Sequence, residues 1–176
     1  MRIFTAIPFP DEIKQKTGDL LKGKVPVHYV NTTNLHITLN FFGDLPTDDV
    51  TKLQNLFEQA VAGEKGFMIE FDKLTKTRNQ IHMLPKSNNS LRSLQYKLEK
   101  TFVSAGFSFQ EREYYAHVKI ANMHMDKVMN TQRKIENFPN IELAQLNFKA
   151  DKVVLYESKL LLHHAHHYRL MEAKLS

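Results

Sequence analysis

The sequence contains no cysteine. That excludes disulfides and cysteine-ligated metal sites and favours a cytoplasmic location. No apolar run approaches the roughly 18 residues that a membrane-spanning helix needs, so no membrane partner is expected. The opening MRIFTAIPFPDE turns acidic after a short apolar run and lacks a small-residue cleavage site; no signal peptide is expected. The glycine-rich strand-to-helix turn of a dinucleotide or P-loop site is missing. So is any linker, or any low-complexity stretch beyond one histidine cluster. A chain of 176 residues without such a break is expected to form one domain, residues 1–176, of two interleaved lobes, and it is long enough to bury a core.

What is present is ordinary in bulk and unusual in detail. Hydrophobic residues make up 42% and charged residues 24%, the balance of a globular protein. A formal charge of +5 suits a phosphate-bearing partner without specifying one. Histidine is plentiful, with nine copies. Five stand apart, as His28, His36, His82, His117 and His124. Four are crowded into HHAHH, as His163, His164, His166 and His167.

Periodicity divides the chain into alternating strands and helices. RIFTAI, NLHITLNFF, GFMIEFDKL, QIHML, YYAHVKIANM, IELAQLNFKADKVVLYESKL and HYRLMEAKL read as strands or strand pairs. Helices are expected from Pro10 to about Gly23, after a Thr47 cap as far as Gly63, over Asn88 to Ala105, and over Lys127 to Asn137. Strand–helix units fall into two halves, which predicts a mixed α+β architecture of two similar lobes.

Each half holds one histidine-bearing strand. LHITL (Leu35 to Leu39) and AHVKI (Ala116 to Ile120) align residue for residue, so His36 matches His117 and Thr38 matches Lys119. Side chains two apart on a strand share a face, with Cα atoms about 7 Å apart. His36 therefore projects with Thr38, and His117 with Lys119. Packing about a pseudo-twofold axis would bring both histidines to one cleft. Imidazole titrates at about pH 6.5, so one ring can take a proton from a nucleophile while the other delivers one to a leaving group. A hydroxyl nearby can hold a phosphoryl oxygen. This set suits displacement at phosphorus without a metal.

The paired motifs and their flanks resemble the two-histidine (2H) phosphoesterase superfamily. More narrowly, they are similar to the RNA 2',3'-cyclic phosphodiesterases, also called 2'-5' RNA ligases. The likeness runs through MRIFTAIPFPDEI, NLHITLNFFGDL, GFSFQEREYYAHVKIA, VVLYESKL and YRLMEAKL, in that order. It implies a bilobal fold in which two antiparallel sheets line a central cleft and helices cover the outer faces. It also implies cofactor-free hydrolysis of a 2',3'-cyclic phosphate on an RNA or nucleotide end, giving a 2'-phosphate, by a monomer. His36 and His117 would be catalytic, and Thr38 with Lys119 would hold phosphate. Weak ligation would be the reverse reaction.

Three positions depart from that family's pattern. Lys119 stands where threonine or serine is usual, and Asn40 and Asn122 stand where arginines are common. Lys119 either meets phosphate as a point charge or marks a decayed half-site that binds RNA ends or nucleotides without turnover. Hydrolysis of 2'-5' linked oligonucleotides is a further alternative. Phe42, Tyr114 and Tyr115 flank the motifs as candidate base-stacking residues. His82 and His124 are expected to be structural or exposed. HHAHH is expected to be a solvated hairpin turn rather than a metal site.

Overall fold

In the computed structural model, residues 1–22, 24, 28–122, 141–161 and 164–176 are described. The expected helix over Lys127 to Asn137, together with His124 and His163, lies outside them.

Two four-stranded antiparallel sheets form the two lobes. The first has the order β10-β9-β1-β3, built from β1 (Arg2–Pro8), β3 (His36–Asp44), β9 (Lys152–Leu161) and β10 (His164–Lys174). The second has the order β2-β7-β6-β5, built from β2 (His28–Tyr29), β5 (Phe71–Lys76), β6 (Gln80–Pro85) and β7 (Val118–Asn122). A small ladder pairs β4 (Phe67–Ile69) with β8 (Phe148–Ala150). The chain crosses between lobes repeatedly, because β1 and β3 belong to one sheet while β2, between them in sequence, belongs to the other.

Strand alternation sorts the side chains. In β3, Ile37 and Leu39 enter the main core beneath the sheets, and His36 and Thr38 face the cleft. In β7, Val118 and Ile120 are buried in the same core, and Lys119 points the opposite way. A second, smaller cluster of Phe4, Ala6, Val154 and Tyr156 is separate from the main core. Helix α1 (Asp11–Leu21) buries Ile13, Thr17 and Leu21, and the Thr17 hydroxyl donates to the Ile13 carbonyl at 2.7 Å. Helix α2 (Thr47–Val61) packs its Val50, Leu53, Phe57 and Ala60 stripe toward β9 and β10. Helix α3 (Asn89–Ser104) lies against α2 and β3. None of the described helices is long and apolar enough to cross a membrane.

Both ends of α3 are closed by local chemistry. The Asn88 side chain accepts from the Leu91 amide at 3.0 Å, capping the start. At the other end Gly106 takes φ +94°, the Phe107 amide reaches the Phe102 carbonyl at 3.0 Å, and the Gly106 amide reaches the Val103 carbonyl at 2.9 Å. This is a Schellman closure, which needs a residue free to adopt left-handed backbone.

Three expectations are corrected. Thr47 is the first helical residue and Pro46 precedes the helix, with no side-chain cap. GFMIEFDKL is two strands, broken at Glu70, that serve different sheets. YYAHVKIANM joins its sheet only from Val118, so His117 stands just before the strand.

Asn88→Ala removes the cap of the helix that carries Arg92 and Tyr96, and should lower unfolding stability by about 1 kcal/mol in a urea titration. An unchanged midpoint would show that the cap contributes nothing.

Candidate active site

His36 opens β3 directly after a 3-10 turn, Thr32–Asn34, which Asn31 caps by accepting from the Thr33 amide at 3.0 Å. The turn brings the Asn34 carbonyl back to His36, whose Nδ1–H donates to it at 2.6 Å. A carbonyl can only accept, so the proton of the neutral ring sits on Nδ1 and the lone pair on Nε2. The Thr38 hydroxyl donates to that Nε2 at 3.1 Å. Asn34 is itself tied to β10, its amide donating to the Ala165 carbonyl at 2.6 Å.

The second half repeats the device. His117 Nδ1–H donates to the Tyr115 carbonyl at 2.9 Å. In both motifs the acceptor lies two residues earlier, which leaves the lone pair on Nε2; in His36 that lone pair accepts from Thr38. The lobes are linked at this level by Tyr114, whose hydroxyl donates to the Thr38 carbonyl at 2.9 Å. Burial pushes the Tyr114 phenol up, so it stays a donor.

Burial first, and neighbouring cations second, act on the ionisable groups of the site. Burial pushes His36 down to about 4, helped by His167, His117 and Lys119, while the Asn34 carbonyl opposes the fall. His117 is lowered by burial, with Arg112 and Lys119 adding to it and the Tyr115 carbonyl opposing. Burial lowers Lys119, and Arg2 contributes. Among the described residues Lys119 has no hydrogen-bond or ion-pair partner. Thr38 and His117 line a cleft of about 930 Å³ whose walls also hold Arg2, Arg92, Arg112 and Tyr115, with the carboxylates of Glu99 and Glu113, while His36 and Lys119 are not part of its lining.

The other candidates divide. Phe42 packs against Phe102, Phe107 and Phe109 with ring centroids 5.1–5.5 Å apart, inside an aromatic cluster. Tyr114 is committed to its hydrogen bond. Tyr115 is 51% exposed and stacks on His117 at 5.0 Å, so its ring is both on the site and open to solvent. Asn40 is buried and bonded to Thr5, its Oδ1 accepting from the Thr5 hydroxyl at 3.2 Å. Arginine is absent at Asn40 and Asn122, and Arg2, Arg92 and Arg112 reach the cleft from β1, α3 and the loop before β7.

Two histidines read as bystanders are at the site. His82, on β6, is buried and stacks on His117 at 4.2 Å. His167 lies not in a solvated turn but on β10, with its ring 5.3 Å from His36. A signal existed for His167, since it begins the strand that HYRLMEAKL predicts and alternation decides which way it faces. His82 had no such signal. Its neighbour is chosen by the β6–β7 register, which sets His82 opposite Lys119. Among the described residues, no three histidine or carboxylate side chains group as a metal site.

The sequence profile of the 2'-5' RNA ligase superfamily matches residues 9–160. The chain belongs to the 2'-5' RNA ligase superfamily. Among curated relatives of this superfamily member is the RNA 2',3'-cyclic phosphodiesterase of Methanocaldococcus jannaschii, 26% identical over 168 residues, covering 91% of this chain and 92% of that protein. The RNA 2',3'-cyclic phosphodiesterase of Bacillus subtilis is 25% identical over 127 residues, covering 67% of this chain and 69% of that protein. Escherichia coli LigT, solved in complex with 3'-AMP, superposes with a TM-score of 0.82 at 18% identity, over 99% of this chain and 98% of that one. That likeness establishes the bilobal 2H phosphoesterase fold of this superfamily member.

Three of the site's histidines make stability depend on pH. His36, His82 and His167 are held near 4 in the folded chain against an ordinary value of 6.5. Between those values the unfolded chain binds more protons, so acid favours unfolding. Denaturant midpoints should therefore fall as pH drops from about 6.5 towards about 4. A midpoint that is flat through this window would contradict the buried, neutral state of these rings.

Proposed function

We propose that the protein hydrolyses 2',3'-cyclic phosphate ends of RNA or nucleotides to 2'-phosphates, with His36 and His117 as acid and base. The observation that carries this reading is the duplicated Nδ1–H to carbonyl anchor, which leaves the lone pair on Nε2 in two histidines close enough to act on each other electrostatically. The names of the curated relatives agree with the substrate class. Water attacks phosphorus as His117 Nε2 takes its proton. The bond from phosphorus to the 3'-oxygen breaks, and His36, protonated on Nε2, delivers a proton to that oxygen. Charge then has to be held on the non-bridging oxygens. Thr38 and Lys119 serve there, the lysine as a point charge where the first motif has a hydroxyl.

His36 must be protonated for this step, yet the free site holds it near 4. The missing partner is the substrate. A phosphodiester anion among these cations supplies the negative charge that raises the proton affinity of an imidazole. Substrate binding and proton uptake are thus coupled, and the acid forms where the leaving group will be. The same groups run in reverse would join a cyclic end to a 5'-hydroxyl, giving weak 2'-5' ligation. The protein acts as a cytoplasmic monomer on this reading, and neither proton transfer requires a metal.

Turnover of a 2',3'-cyclic nucleotide in the presence of EDTA tests the proposal. His36→Ala and His117→Ala should each lower kcat by about 10²–10⁴-fold, the range of a lost general acid or base. Activity that survives both changes sinks the two-histidine mechanism, and saturable binding without turnover by the wild type assigns a binding protein instead.

Lys119 has a separate test. Lys119→Met should lower kcat/KM by about tenfold or more through loss of a charge-assisted contact, whereas Lys119→Thr should retain activity. Equal rates for Lys119→Met and the wild type would make the lysine a bystander.

A further inference from the structure

Each motif histidine has a second histidine against its ring, delivered by another strand of the same sheet. His82 of β6 stacks on His117 with centroids 4.2 Å apart and planes 26° apart. His167 of β10 meets His36 edge-on, with centroids 5.3 Å apart and planes at 86°. Neither second histidine belongs to a motif. The two arise from unrelated segments, QIHML and HHAHH, and from different places in their sheets, since β6 pairs with β7 whereas β9 and β1 lie between β10 and β3.

The two share a chemical state as well. In His82, Nε2–H donates to Gln80 Oε1 at 2.8 Å. Its Nδ1 is buried with no hydrogen-bond partner, and so is Nδ1 of His167. Protonating a buried Nδ1 would place a donor where nothing accepts it, beside the charge of Lys119, so both rings are held uncharged. Burial and Lys119 keep His167 near 4, and burial with His117 and Lys119 does the same for His82. A neutral ring offers a face or an edge without competing for the substrate's anion.

The contacts restrict the motif rings. His36 is boxed by His167, by Phe4 at 5.0 Å and by Tyr156 at 6.3 Å. His117 is held by His82 and by Tyr115 at 5.0 Å. A half-turn about the imidazole axis would break the Nδ1 anchor and point Nε2 away from the cleft. The carbonyl supplies one bond against that turn, and the packed ring opposes it sterically.

We propose that His82 and His167 are positioning residues, each locking the adjoining motif histidine with Nδ1 on its carbonyl and Nε2 toward the cleft. This rests on the phosphodiesterase reading for its kinetic consequence but not for its structural one. Two measurements on the full chain keep these apart.

The first is the ¹⁵N NMR tautomer signature of His36 and His117, read without substrate. It should show a pure Nδ1–H form in the wild type and in His82→Phe and His167→Phe, and a mixture for the neighbouring histidine in His82→Ala and His167→Ala. The second is turnover of a 2',3'-cyclic nucleotide. The alanine variants should lose about 10–10²-fold in kcat, as misplaced reacting groups do, with KM changed by less than about threefold. The phenylalanine variants should recover most of that loss.

Alanine variants with wild-type tautomers and rates overturn the proposal. Phenylalanine variants as impaired as alanine also overturn it, because they show that imidazole chemistry, not ring packing, is required. If the wild type turns over no cyclic phosphodiester, the functional reading fails and the tautomer measurement alone decides the positioning role. Should an alanine variant fail to fold, its phenylalanine counterpart still decides. A mixed tautomer there counts against the proposal, and a pure one supports it.

Discussion

An imidazole N–H bonded to a carbonyl two residues earlier, made once in each lobe, is the interaction on which the site depends. It costs the protein one local turn per motif. In the first lobe that turn is the capped 3-10 segment Thr32–Asn34, and in the second it is the extended approach through Tyr114 and Tyr115. The bond selects a tautomer, and the tautomer selects which nitrogen can exchange protons. Without it, two histidines in one cleft would be two flexible bases of undefined role. With it, they are two Nε2 atoms of defined direction on opposing sheets.

The sheets explain why the rings can be held at all. Ile37, Leu39, Val118 and Ile120 are buried in one continuous core, so neither motif strand can twist without opening it. Tyr114 then ties the lobes by donating to the Thr38 carbonyl. The cleft walls carry Arg2, Arg92 and Arg112 from three different segments, with Glu99 and Glu113 among them. The low proton affinities of His36, His82 and His167 come first from burial and second from neighbouring positive groups.

Lys119 shows how a departure from a pattern is absorbed. At its position in the first motif, Thr38 donates to a histidine nitrogen at 3.1 Å. A lysine cannot make that short return contact as a neutral hydroxyl does, and its charge lowers the proton affinity of the histidines around it. The two half-sites are therefore alike in backbone and unlike in electrostatics. That asymmetry separates the two histidines chemically even though their anchors are the same.

Much of this was legible in the amino-acid order. Strand alternation placed His36 with Thr38 and His117 with Lys119, because a period of two is a local property of extended backbone. The stripes of α2 and α3, and the glycine that ends α3, were readable for the same reason. Local order could not say that GFMIEFDKL breaks at Glu70 to serve two sheets, since that choice depends on which partner strand is free. Nor could it bring Arg2, Arg92 and Arg112 to the cleft, or set His82 and His167 against the motif rings. Those placements follow from register between strands distant in sequence and from the crossing of the chain between lobes. The amino-acid order was enough to pair the motif histidines with the residues two places on, but not to reveal their carbonyl anchors. Only the tertiary structure decided their neighbours, because side-chain contacts across a sheet depend on pairing, and pairing is set by burial of the whole core.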